Sequence, residues 1–204
     1  MEKYNFQFDV SSLKAIASII GNKWRCYGTP RAFSASSAAF DLYLVSDGAK
    51  VTVQSEVDWY QLAGAVDYAG NPEEDQIANL TAHLGAEQLI KAEDLGRTYV
   101  FHAGVLVKGI TIIRDEINCT LNGKQMWLMQ KDTGIIIQFE SGVIAVTLDQ
   151  TMTETIAITR APSVEQLKIP EISTYWENRE LGDDYQWSRK LIPIGEALLS
   201  AGEL

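Results

Sequence analysis

Asn122-Gly123 stands between two runs of β-type sequence and constrains the chain more than any other local feature. A two-residue type I′ hairpin turn needs positive φ at both central positions, and Asn-Gly meets that need with little strain. The pair therefore predicts a hairpin with Leu121 against Lys124 and Cys119 against Met126. Asp47-Gly48 repeats the signal between Leu42-Tyr43-Leu44-Val45 and Val51-Thr52-Val53. It places Leu44 opposite Val51 and Leu42 opposite Val53, which gathers one apolar face. A third turn, at Ser141-Gly142, predicts pairs Phe139 with Ile144, Ile137 with Val146 and Ile135 with Leu148. Shorter β segments are expected at 23–27, 99–101, 105–107, 110–113 and 153–159.

Helical spacing is confined to a few stretches. Leu13, Ile16, Ala17 and Ile20 form one stripe, with Ser11 and Ser12 as N-cap candidates and Gly21 as the stop. Asn71-Pro72-Glu73-Glu74 has the form of a capped first turn, and Ile77, Leu80 and Leu84 continue it, so a helix is expected over 71–84. A second helix is expected over 86–95. Pro162, Pro170 and Pro193, with Tyr175-Trp176 and Tyr185-Gln186-Trp187 among acidic residues, predict an irregular aromatic tail that ends in a short helix over 194–199.

These elements predict an α+β protein, mostly β, made of two similar antiparallel β-meander lobes with a helical connector. The segments are 1–60, an N-terminal helix and β lobe; 61–96, a helical acidic connector; 97–160, a C-terminal β lobe; and 161–204, the aromatic tail. The two β regions each place a glycine before a strand and another in a later hairpin turn (Gly21 and Gly48, Gly109 and Gly142), which suggests an internal duplication. At 204 residues the chain is long enough to bury one core without disulfides.

Charge and cysteine usage narrow the function classes. The formal charge of −10 argues against the basic surface that nucleic-acid binding requires. Cys26 and Cys119 are too few for a disulfide framework and point to a reducing compartment. No apolar run is long enough to span a membrane, and the first twenty residues lack the features of a signal peptide. A cytoplasmic protein of bacterial type, acting away from membranes, is expected.

Catalytic signatures are sparse. His83 and His102 are the only histidines, and neither has neighbours spaced as metal ligands. The chain contains no Gly-x-Ser-x-Gly elbow and no phosphate-binding glycine loop. A Cys26–His102 dyad would need the fold to assemble it. Asp67, Asn71, Glu73, Glu74 and Asp75 could offer oxygens to calcium, but their spacing departs from an EF-hand. No catalytic residue, metal or cofactor is assigned. Acidity, by contrast, is concentrated: residues 55–95 hold nine Asp/Glu and a single base, Lys91. Such a patch speeds association with basic partners. Glu73, Glu74, Asp75 and Asp67, with Trp176 of the tail, are the expected partner-binding residues.

The leading helix, the hairpin Leu42–Val53, its counterpart Gly134–Leu148 and the trailing Trp/Tyr tail together resemble small bacterial immunity-type proteins of toxin neighbourhoods. The resemblance implies stoichiometric capture of a toxin domain without catalysis and transfers no individual binding residue. The leading expectation is thus a non-catalytic protein-binding module, an immunity-type inhibitor of a basic toxin or partner, with self-association open. One alternative is a small-molecule binder with an apolar cavity lined by residues such as Trp24, Trp127 and Phe139. Another is an enzyme with an unrecognised site.

Overall fold

In the computed structural model Asn122 and Gly123 both adopt positive φ, 49° and 76°, and close the long hairpin that organises the protein. The structure describes residues 1–30, 32–34, 36–66, 69, 71–85, 97–101, 103–149, 154–170 and 183–202. The elements are β1 (Glu2–Phe6), α1 (Val10–Ala17), β2 (Trp24–Thr29), β3 (Ala32–Ser34), β4 (Ser37–Ala39), β5 (Asp41–Ser46), β6 (Lys50–Val66), β7 (Pro72–Leu84), β8 (Arg97–Tyr99), β9 (Gly109–Leu121), β10 (Lys124–Phe139), β11 (Gly142–Leu148), β12 (Thr155–Ala161), β13 (Asp183–Pro193) and α2 (Ile194–Gly202). The protein is mostly β, with two antiparallel sheets and two helices among the described residues. One sheet runs β13-β9-β10-β11-β12-β4-β3, with β1 parallel beside β10; the other runs β7-β6-β5-β2-β8.

The Asp47-Gly48 hairpin has the expected register, Leu42 opposite Val53 and Leu44 opposite Val51. The other two turns correct theirs. Beyond Leu121–Lys124 a bulge makes Met126 the extra residue, so Cys119 faces Trp127 instead of Met126. That shift brings the Trp127 ring into the interior at 2% exposure. At the third turn the loop residues are Glu140 and Ser141, and Phe139 pairs with Gly142, Ile137 with Ile144 and Ile135 with Val146. The two-residue offset keeps every side chain on its expected face, because strand periodicity is two.

Three further expectations give way to tertiary structure. Helix α1 is capped by Asp9, whose carboxylate accepts from Ser12 N at 2.6 Å, in place of Ser11 or Ser12. Ser12 is buried instead, and its hydroxyl accepts from Ala82 N. The segment expected as a helix over 71–84 is strand β7, paired with β6 from Leu84 opposite Val51 to Glu74 opposite Gln61. Ala78, Leu80 and Ala82 line one buried face at strand spacing, and Pro72 is tolerated as the first residue of an edge strand. The connector is therefore β over 72–84, while the helix expected at 86–95 lies outside the described residues. In the tail, Asp183–Pro193 forms an edge strand bonded along its length to β9, and α2 follows at once. The irregular reading, drawn from the prolines and from aromatic residues among acids, gives way there because β9 supplies a partner for every position from Asp183 to Pro193.

One core joins the sheets: Leu42, Val53 and Ala82 pack in the same cluster as Ile112, Ile137 and Val146. Trp24 meets Phe139 edge to face within it. A second cluster holds Leu62, Ile77, Ile117, Cys119, Trp127 and Met129. The long hairpins reach the two clusters with opposite faces. On β9, Ile110 and Ile112 enter the first cluster and Ile117 and Cys119 the second; on β7, Ala78 and Leu80 enter the first and Ile77 the second. Even positions give way to odd ones, so each ribbon changes its inward face along its length, as the twist of long strands allows. The two β regions share a three-strand order, β2-β5-β6 and β9-β10-β11. The first differs in sending β3 and β4 into the opposite sheet.

Candidate functional site

Strand alternation divides the acidic residues of the β6–β7 hairpin. Glu74 is exposed opposite Gln61, whereas Asp75 is buried at 4% exposure opposite Tyr60. Asp75 therefore belongs to the interior and not to a partner-facing surface, because neighbouring strand residues point to opposite faces. Glu73 lies on the β7 backbone beside them. Asp67 and Trp176 lie outside the described residues. An aromatic residue that charge patterning overlooked completes this surface: Trp59, 62% exposed, stands opposite Gln76 and two residues along β6 from Gln61. β7 is the outer strand of its sheet, and among the described residues no strand pairs with its free edge. Ser12 of α1 caps the Ala82 end of that edge.

Among the described residues, Cys26, Cys119 and His83 sit on three different strands. Cys26 lies on β2, and burial pushes its thiol above the usual range, which disfavours the reactive thiolate. Cys119 is buried in the second cluster, and His83 is exposed on β7 opposite Thr52. His102 lies outside the described residues. Trp24 and Phe139 pack in the first cluster and Trp127 in the second, so these three do not line a common wall. Among the described residues no group of three or more His, Cys, Asp or Glu converges as a metal site.

The densest polar chemistry lies where β9 and β10 change their inward face. One rung aligns Phe6 of β1, Lys131 of β10, Asp115 of β9 and Arg189 of β13. Arg189 Nε and Nη2 donate to Asp115 Oδ1 and Oδ2 at 2.7 and 2.8 Å. A bulge at Thr133 turns its hydroxyl onto Asp115 Oδ2 at 3.2 Å. Arg189 Nη1 also donates to Pro170 O, tying the segment after β12 to β13. Lys131 is fully buried, and among the described residues its Nζ has no hydrogen-bond partner. Burial draws its pKa down to about 7, with the nearby Asp115 opposing that shift. On the reverse face, Arg114 Nε and Nη2 donate to Asp132 Oδ1 and Oδ2 at 2.6 and 3.0 Å, and Phe8 N donates to Asp132 Oδ2.

The sequence carried a trace of this assembly: Arg114-Asp115 and Lys131-Asp132 interrupt apolar strand segments on either side of Asn122-Gly123. Without the Met126 bulge the register would set Arg114 against Lys131. The bulge moves the strand by one residue and aligns Asp115 with Lys131 and Arg114 with Asp132. No protein-family model, curated protein or solved structure matches the chain. No helix among the described residues is long and apolar enough to cross a membrane.

Proposed function

We propose that this protein is a non-catalytic binding module that captures a basic protein partner in the manner of an immunity protein. Its docking surface is the outer half of the β6–β7 hairpin. The observation that carries the reading is Trp59, 62% exposed, on the same hairpin as exposed Glu74 and beside the free edge of β7. Aromatic side chains anchor interfaces, acidic neighbours draw a basic partner, and an unpaired strand edge offers backbone donors and acceptors. An acidic edge also discourages pairing between copies of the same chain, which leaves it open to a complementary partner. The net charge of −10 extends the attraction beyond the contact itself.

The test is affinity capture from cells of the native source at low and moderate salt, with wild type, Trp59→Ala and Glu74→Lys as baits. The expected result is a basic protein held by wild type, weakened by salt and lost from both variants. Binding of the isolated partner to the three baits is then compared directly. Equal retention by all three baits overturns the proposed surface.

A further inference from the structure

The charged rung across β1, β10, β9 and β13 has an arrangement that simple structural pairing does not need. Asp115 is fully engaged: Arg189 takes both of its oxygens and Thr133 shares the second. Lys131 sits on the adjoining strand in direct register, sealed from solvent, with no hydrogen-bond acceptor for its Nζ among the described residues. The rung is electrically balanced when Lys131 is neutral, since one guanidinium faces one carboxylate. Protonation would set two cations against that carboxylate where water cannot screen them.

The surroundings decide where such strain is relieved. Phe6 of β1 stands beside Lys131 in the rung and cannot titrate. Tyr4 of β1 and Tyr60 of β6 pack against the adjoining apolar cluster, buried Asp75 of β7 stands opposite Tyr60, and burial raises the pKa of both tyrosines. Arg114, Asp132, Glu116 and Lys190 lie on the reverse face of the same strands. On the side of Asp115 the cation in reach is Arg189, and among the described residues its strand pairs only with β9. Moving Arg189 outward separates the cations at the cost of one edge ladder, whereas moving β9 or β10 would disrupt the centre of the sheet.

We propose that Lys131, Asp115 and Arg189 form a proton-operated latch that holds the C-terminal strand β13 on β9 when Lys131 is neutral and loosens it when Lys131 is protonated. Burial places that transition near neutrality, at about pH 7. The latch controls the seating of β13, with Tyr185 packed against Trp127, and of α2, which continues directly from Pro193.

The test is residue-resolved amide hydrogen exchange of the full chain at pH 5.5 and 8.5, corrected for the intrinsic pH dependence of exchange. In wild type the protection of β13 amides is expected to fall tenfold or more at pH 5.5, while β10 and β11 keep theirs. Lys131→Met is expected to hold β13 equally at both pH values, with Lys131→Leu as a second replacement. Equal β13 protection of wild type at both pH values overturns the latch, as does the same loss in a folded Lys131 variant. Independently of any variant, the Lys131 side chain in wild type is expected to titrate near neutrality by carbon NMR. A side chain that stays charged up to pH 10 overturns the proposal.

Discussion

The two arginine–aspartate pairs of the larger sheet lie one rung apart and have nearly the same geometry, yet they sit in different electrostatic settings. Arg114 and Asp132 balance each other, and the carboxylate also receives Phe8 N, so this rung fastens the segment after β1. Arg189 and Asp115 make an equally close bidentate pair, but Lys131 sits beside them. The first is a static joint between N-terminal segment and sheet. The second contains a group whose charge depends on the solution, so one fork-to-fork geometry serves two purposes according to what lies next to it.

Removing each carboxylate should separate the two most strongly. Asp115→Asn leaves Arg189 and, in its charged form, Lys131 without a buried anion, and is expected to cost about 3–5 kcal/mol in urea unfolding. Asp132→Asn should cost less, about 2–3 kcal/mol, because a single cation loses its partner. Equal losses would erase the distinction between the rungs.

Lys131→Met should act in the opposite direction and stabilise the protein at pH 7 by about 1–4 kcal/mol, since it replaces a buried, unpaired amine with an apolar chain of similar length. The pH dependence has a definite sign. The unfolded lysine keeps its proton up to its ordinary value of 10.5, whereas the folded one releases it near 7. Between those values the unfolded chain binds more protons, so wild-type stability should rise with pH. The clear window is about pH 7 to 8, before Cys26, with an ordinary value of 9.0, and then the tyrosines, whose raised values act the other way, ionise in the unfolded chain. Denaturant midpoints across this window should rise for wild type and stay nearly level for Lys131→Met.

Thr133→Val is the finest probe. It removes one donor to Asp115 and should cost about 1 kcal/mol by the same unfolding measurement, leaving the Arg114–Asp132 rung intact. A much larger loss would show that the bulge itself, and not the bidentate arginine, holds Asp115 in place.

How far the chain alone discloses all this differs from one hairpin to another. Asp47-Gly48 yielded the register of β5 and β6 because turn chemistry and apolar alternation agree there. Asn122-Gly123 yielded the hairpin but not its register beyond Gln125, because placing Trp127 in the second core cluster favours a bulge that no local rule announces. Over 72–84 the sequence satisfies helix and strand spacing alike. The long strand β6 decided the matter by supplying a partner for every position from Glu74 to Leu84. The acidic surface was half legible: composition pointed to the segment, but alternation turned Asp75 inward and left Trp59 outside, which requires knowing that the segment is a strand.

The sequence by itself determined the Asp47-Gly48 and Asn122-Gly123 turns, the β-rich class, the presence of the first helix and the acidic character of the chain, because these follow from φ requirements, side-chain periodicity and charge counts. Tertiary structure alone decided which charges meet. A one-residue bulge at Met126 exchanges an Arg114–Lys131 opposition for Asp115–Lys131 and Arg114–Asp132 pairs. Arg189 enters the same rung from 74 positions along the chain. Partners so distant are chosen by the packing of whole strands and by the electrostatic cost of leaving a buried charge unmatched, and neither is written in the residues beside them.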